Sequence, residues 1–313
     1  MRAVVTGAGG FVGANLVHHL LAGGHEPVAA VRPHGDRWRL ESVDGAVELL
    51  ELELADPEAI ARAIPACRPD VIFHLAAHGA YSWQQDLATM LSINVRATEA
   101  LLRAAEDAGA TLVHAGSSSE YGYQDHPPRE DELVSPNSLY AVTKVAATHL
   151  CRLAAARGAR AVTLRLYSIY GPWEQPGRLL PTLVRHCLDG SWPPLVAPDT
   201  ARDFVWIADA CDAFVRAAGA ELDDPGAVFN IASGTQTTLA ALVEEAQAVF
   251  EVQEPPRWGS MQGRAWDTSS WVGDPGAAAR ELGWRAQTSI GSGLRRLASW
   301  MRDNPRLAQR YAG

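Results

Sequence analysis

Lysine is all but missing from this 313-residue chain: Lys144 stands alone beside 26 arginines. Arginine replaces lysine wherever charge alone matters, as a GC-rich coding sequence would have it, so the surviving lysine marks a place where arginine does not serve. Cysteine is scarce as well. Cys67, Cys151, Cys187 and Cys211 are scattered, with no Cys-x-x-Cys pair and no metal-ligand spacing. This argues against a disulfide framework and suits a reducing compartment. No apolar run is long enough to cross a bilayer, and no block of like charge is present. A formal charge of −9 and a pI near 5.6 argue against nucleic acid or an anionic membrane as partner. The chain opens on the apolar run Ala3-Val4-Val5, so no leader is expected, and the expectation is a cytoplasmic protein. His74, His78 and His114 find no carboxylate or cysteine to complete a set, so no metal site is expected.

What is present is an alternation of short apolar runs with helix-like stretches. Strands are expected at 3–6, 28–31, 47–52, 71–75, 112–115 and 162–166, apolar enough to be buried on both faces. Between them Leu16, Val17, Leu20 and Leu21 form one helical stripe, and Ala97, Leu101, Leu102 and Ala105 another. Strands alternating with helices imply a doubly wound parallel α/β sheet of the Rossmann type. After Tyr170 glycine and proline break the pattern repeatedly; the runs at 204–207 and 228–231 read as late strands of the same sheet. The expected division is a dinucleotide-binding domain of residues 1–170 plus 204–232, and a smaller substrate lobe of 171–203 plus 233–313.

Gly7, Gly10 and Gly13 form a GxxGxxG between the first strand and its helix. Glycines there either make a plain tight turn or let backbone N–H groups approach a pyrophosphate at a helix N-terminus; the βαβ setting favours the second. NAD-binding folds commonly place an acid at the end of the second strand for the ribose 2′-OH. Here Val31-Arg32 ends the strand and Asp36 comes only four residues later. Arg32 is either a solvated loop residue or, with Arg37 or Arg39 nearby, a partner for the 2′-phosphate of NADP.

Tyr140 and Lys144 lie four residues apart in a stretch with helix-start signals at Pro136, Asn137 and Ser138. One face of a helix would carry both. Seven tyrosines put one at this spacing from a lone lysine in about 2% of shuffled chains. A phenol near pKa 10 is a poor acid or base at neutral pH, and a neighbouring ammonium would bring it down. The lysine's compact charge also suits the two hydroxyls of a nicotinamide ribose better than a planar guanidinium does. The Ser117-Ser118-Ser119 turn follows a strand and supplies hydroxyls at the same edge of the sheet.

The chain resembles the extended short-chain dehydrogenase/reductases of the nucleotide-sugar epimerase/dehydratase family. The match is ordered and nearly end to end: TGAGGFVG at 6–13, FHLAA at 73–77, NVRATEALLRAA at 94–105, GSSSEYG at 116–122, YAVTK at 140–144, ARDFVW at 201–206 and ELGW at 281–284. The resemblance implies a catalytic trio of Tyr140, Lys144 and a serine, Ser117 or, with a one-residue gap, Ser118. It implies a cofactor site of Gly7, Gly10, Phe11, Val12, Gly13, Arg32, Leu54, Leu75, Ala76, Ala77 and Tyr167 together with Tyr140 and Lys144, and Asn94 bracing the helix of Lys144. Arg202 and Arg264 look like arginines that hold the diphosphate of a nucleotide sugar, with Tyr81, Trp83 and Ser168 facing the substrate; Trp83 reads equally as ordinary packing. The resemblance also implies a homodimer.

Two departures narrow the reading. Family 4,6-dehydratases carry Asp-Glu directly after the catalytic Thr or Ser; here Ser118-Ser119 stand there. Family epimerases often show Asn in RxxNxYG; here RLYSIYG has Ser168. The expectation is an NADP-dependent (alternatively NAD-dependent) enzyme reducing a 4-keto nucleotide sugar. A nucleotide-sugar 4-epimerase is the first alternative, and a non-catalytic nucleotide-sensing module the second.

Overall fold

A computed structural model describes residues 1–261, 263 and 268–311. Arg264, one of the two expected diphosphate arginines, lies outside the described residues.

The first half is a run of strand–helix units: β1 (Arg2–Thr6), α1 (Phe11–Ala22), β2 (Glu26–Val31), β3 (Glu48–Glu51), α2 (Pro57–Ala66), β4 (Val71–His74), α3 (Leu87–Met90), α4 (Ala97–Ala108), β5 (Thr111–Ser117), α5 (Leu139–Ala155) and β6 (Ala161–Leu166). A π-turn, Leu91–Arg96, joins α3 to α4. After β7 (Ser168–Tyr170) come α6 (Leu179–Leu188), β8 (Ala201–Arg202), β9 (Phe204–Trp206), α7 (Ile207–Gly219), β10 (Val228–Ile231), β11 (Thr237–Thr238), α8 (Leu239–Phe250), α9 (Gly276–Glu281), α10 (Ile290–Asp303) and α11 (Pro305–Ala308). Among the described residues no helix is long and apolar enough to cross a membrane.

Seven parallel strands form the main sheet in the order β10-β6-β5-β4-β1-β2-β3. This is the expected doubly wound sheet. Val4, Val5, Ile72, Phe73, Leu112 and Val113 are fully buried because helices cover both faces. One core packs Leu16, Val17 and Leu20 of α1 against Phe214 of α7 and runs on into Leu183, Leu242 and Leu294 of α6, α8 and α10. The other face buries Ile60, Leu101 and Cys151 of α2, α4 and α5.

The stretch at 204–207 is not a strand of the main sheet. β9 pairs in parallel with β7 in a separate two-stranded sheet. The chain leaves β6 at Tyr167, whose N–H bonds to Ile231, and Ser168 N–H then bonds to Asp203 O at 2.9 Å. The edge beside β6 is thus taken by β10 alone. The strand order reverses between β1 and β4, so their carboxyl ends flank the crevice where ligands of such sheets bind.

Candidate active site

Gly7 adopts φ +69°, and a Cβ there would fall 2.7 Å from Ala76 N. A Cβ on Gly13 would fall 2.2 Å from Gly7 O. The turn, closed by Gly10 N–H to Gly7 O at 2.8 Å, therefore lies hard against Leu75-Ala76 and the start of α1. Gly10 is the N-cap and offers no side-chain acceptor, so the first N–H groups of the helix, around Phe11 and Val12, are open to an anion. These features fit a dinucleotide pyrophosphate. Leu75, Ala76 and Ala77 follow β4 beside this loop, and Leu54 follows β3, packed on the α2/α4 side.

Among the described residues no carboxylate is presented at the end of β2. Asp36 accepts from Trp38 N–H at 3.1 Å and lies 3.8 Å from Arg310. Of the three arginines expected near a 2′-phosphate, Arg37 pairs with Glu51. Arg39 is buried and donates to Trp173 O at 2.7 Å, Gly9 O at 3.2 Å and Gln175 at 3.1 Å. Arg32 is exposed and has no ion pair among the described residues.

Tyr140 and Lys144 share one face of α5, whose N-cap Ser138 accepts Ala141 N–H at 3.2 Å. Ser117, at the end of β5, lies close enough to the Tyr140 phenol to act on it, favouring its ionised form. Its Oγ also lies 2.7 Å from Ser119 Oγ. Ser118 is buried and instead lines a cleft with Tyr121, Tyr167 and Trp271. The geometry thus brings Ser117, rather than Ser118, to the tyrosine.

The expected acidification of the phenol is not what the structure shows. Burial pushes Tyr140 up to about 12, with Ser117 and Arg178 pulling down and Glu120 and Tyr81 pushing up. Lys144 is 2% exposed, and burial drives it down to about 8. Its Nζ lies 3.2 Å from His114 Nε2. His114 is held well below its ordinary value by burial and by Lys144, so this contact is with a neutral ring. Each group pays for leaving water before either can help the other.

Asn94, in the π-turn, donates to Thr143 Oγ1 at 2.9 Å and to His78 O at 2.7 Å, and accepts His78 N–H at 2.8 Å. It braces the turn of α5 that carries Lys144. His74 has both nitrogens occupied, by Thr6 at 2.8 Å and Thr98 at 3.0 Å, and is a satisfied core histidine. Among the described residues no group of three metal-ligating side chains occurs.

Other groups near the site escaped the sequence reading. Glu120 is fully buried and closes a capping box over the serine turn, accepting Ser117 N–H at 2.9 Å. Its other oxygen accepts from Thr148 Oγ1 at 2.9 Å and Arg165 Nε at 3.0 Å. Glu130 accepts Asn230 N–H at 2.7 Å. Asp203 is buried and accepts from the N–H groups of Ser233, Gly234 and Gly273 at 2.7, 3.1 and 3.2 Å, tying the lobe to the end of β8.

Across the crevice Tyr81 stacks on Trp83 at 4.7 Å, and Trp83 remains 69% exposed, so it is not core packing. Arg178 lies 6.0 Å over the Tyr81 ring and 3.7 Å from Glu174. Both Tyr81 and Arg178 act electrostatically on Tyr140. Glu174 is buried, its Oε2 has no hydrogen-bond partner, and burial pushes it up to about 8. The phenol end of Tyr167 packs against Gly273, Ser168 begins β7, and Arg202 sits 5.9 Å over Trp271.

Residues 3–232 match the profile of the NAD dependent epimerase/dehydratase family. A UDP-glucose 4-epimerase of Mycolicibacterium smegmatis is 30% identical across 97% of this chain and 99% of the relative. A dTDP-glucose 4,6-dehydratase of Streptomyces antibioticus is also 30% identical, across 97% and 93%. The solved structure of MoeE5 in complex with UDP-glucuronic acid and NAD superposes with a TM-score of 0.82 at 31% identity, covering 97% of this chain and all of that one. A UDP-glucose 4-epimerase of Thermotoga maritima reaches a TM-score of 0.86 at 22% identity over 97% of this chain and 100% of its own, a likeness of fold.

Proposed function

Because the chain belongs to the NAD dependent epimerase/dehydratase family of nucleotide-sugar enzymes, we propose that it oxidises or reduces C4 of a nucleotide-diphosphate sugar, with NADPH-dependent reduction of a 4-keto sugar as its net reaction. The observation that carries this reading is the meeting of Ser117, Tyr140 and Lys144 at the carboxyl edge of the sheet, beside a glycine turn shaped for a dinucleotide. A bound nicotinamide dinucleotide supplies the hydride. Ser117 orients the carbonyl oxygen, and Tyr140 gives that oxygen the proton that completes the alcohol. A phenol held near 12 keeps its proton at neutral pH, which suits the reductive direction. Lys144 is placed for the ribose hydroxyls and the phenol once a dinucleotide lies over it.

Dehydration fits the site poorly. Ser119 is engaged with Ser117, and Glu120 is committed to Ser117 N–H, Thr148 and Arg165, so the turn presents no carboxyl acid for eliminating water. The preference for NADP rests on Arg32, exposed at the strand end where no carboxylate is presented among the described residues. Arg202, Ser168, Tyr167, Tyr81 and Trp83 belong to the substrate side, and Arg264 is assigned to the diphosphate by resemblance alone. A second copy of the chain would cover the apolar stripe of Leu139, Val142 and Leu153, each about half exposed along α5, giving a homodimer. The remaining assignments are a cytoplasmic location and a substrate lobe built from 171–203 plus 233–313.

A 4-epimerase is the second reading, favoured by the 30% identity to a 4-epimerase and by NAD in the MoeE5 complex. Incubation with NADPH and a 4-keto-6-deoxy nucleotide sugar separates the two. Stoichiometric loss of nicotinamide absorbance supports the reductase. Inversion of a 4-hydroxy nucleotide sugar with no net change in absorbance supports the epimerase.

A further inference from the structure

We propose that Glu120 is a positioning residue for the reaction: with Arg165 and Thr148 it ties the Ser117 turn to the helix of Tyr140 and Lys144 and fixes a negative charge beneath that pair. This rests on the reading of Tyr140 as the proton donor. Glu120 Oε1 holds Ser117 N–H at 2.9 Å. Oε2 holds Thr148, one turn beyond Lys144 on the same face of α5, at 2.9 Å. One carboxylate therefore sets the distance between the serine turn and the catalytic helix. Arg165 fixes that carboxylate in turn. Its Nε donates to Oε2 at 3.0 Å, its Nη1 donates to Tyr121 OH at 2.8 Å, its guanidinium stacks 4.5 Å over the Tyr121 ring, and Tyr121 OH donates to Asn230 at 2.8 Å. Side chains of Glu120 and Arg165 are 0% and 5% exposed. A buried ion pair is seldom kept for stability alone, since well-packed apolar residues often do as well. Gly116 leaves room for it: a Cβ there would fall 2.9 Å from Glu120 Oε1.

The charge has a direction of effect. Around Lys144, burial opposes the ammonium and Glu120 favours it. His114 from β5 and His74 from β4 face it as neutral rings. Around Tyr140, Glu120 and Tyr81 oppose the phenolate, while Ser117 and Arg178 favour it. Removing the negative charge should lower the protonation midpoint of Lys144.

Because Lys144 is the only lysine, protein labelled with ¹³Cε-lysine gives one side-chain signal, and its pH titration reads this residue without any turnover. Glu120→Gln should lower the midpoint by about one pH unit and turnover by about tenfold or more. Glu120→Asp keeps the charge but gives up reach; its midpoint should stay near that of the parent while turnover falls. Thr148→Val removes one tether and should slow turnover with the midpoint unmoved. An unmoved midpoint in folded Glu120→Gln overturns the charge role. Full turnover in Glu120→Asp and Thr148→Val overturns the positioning role. If Tyr140→Phe is fully active, the proton-donor reading is what fails, and the lysine titration still reports on Glu120.

Discussion

Replacing Lys144 by methionine should abolish turnover and yet stabilise the fold. Lys144 is 2% exposed, and its ammonium is held by His114 at 3.2 Å, with no carboxylate in direct contact among the described residues. The drop from the ordinary 10.5 to about 8 corresponds, at about 1.4 kcal/mol per tenfold, to about 3 kcal/mol. The unfolded chain keeps this proton up to about 10.5 and the native state only to about 8. Between those values unfolding takes up a proton, so stability rises with pH across that window, and below it the cost is borne in full. Methionine keeps most of the buried stem and carries no charge. Losing the hydrogen bond to His114 costs about 1 kcal/mol, which leaves a net gain of about 2 kcal/mol near pH 7. Urea denaturation of both chains at a series of pH values tests this, since the difference between them cancels every other titration. The gap should be widest at pH 7 and close as the pH approaches 10. A variant less stable at pH 7, or a gap that ignores pH, would refute the idea that this lysine is kept against the interest of the fold.

Tyr140→Phe should lower turnover by about two orders of magnitude or more while dinucleotide affinity, read by fluorescence titration, stays within about threefold; retained turnover would point to a nucleotide sensor instead of an enzyme using this phenol. Arg32→Asp should weaken NADPH at least about tenfold more than NADH, and equal losses would remove Arg32 as a 2′-phosphate partner. Burial lifts Glu174 from 4.5 to about 8, so the native state holds a proton that the unfolded chain gives up, and stability falls as pH rises through this window. Glu174→Gln should match the parent near pH 4.5 and exceed it by up to about 4 kcal/mol at pH 8.5 in chemical denaturation; a variant less stable at pH 8.5 would mean the carboxylate is ionised and usefully paired.

The parts of the site that depend on local chain chemistry were legible in the sequence. Gly7, Gly10 and Gly13 sit where a strand must turn into a helix, and the four-residue spacing of Tyr140 and Lys144 fixes a common face wherever that helix packs. The parts that depend on burial or distant pairing were not. Nothing local says that Tyr140 would be raised, or that Lys144 would be turned toward His114, thirty positions away. The run 204–206 looks like any sheet strand until β10 takes the edge beside β6. Glu120 had a signal that went unused: Ser117-x-x-Glu120 is a capping-box pattern, and the carboxylate of such a box need not face water. Its partners Thr148 and Arg165 lie 28 and 45 residues away, beyond any local pattern.

The most direct test of chemistry at the Ser117–Tyr140–Lys144 edge uses dinucleotide carrying deuterium at C4 of the reduced nicotinamide, mixed with the protein and a 4-keto nucleotide sugar. The label should appear at C4 of the sugar, from one face of the nicotinamide only, and its transfer should be lost in Tyr140→Phe. Product without label, or transfer undiminished in the phenylalanine variant, would contradict the assignment.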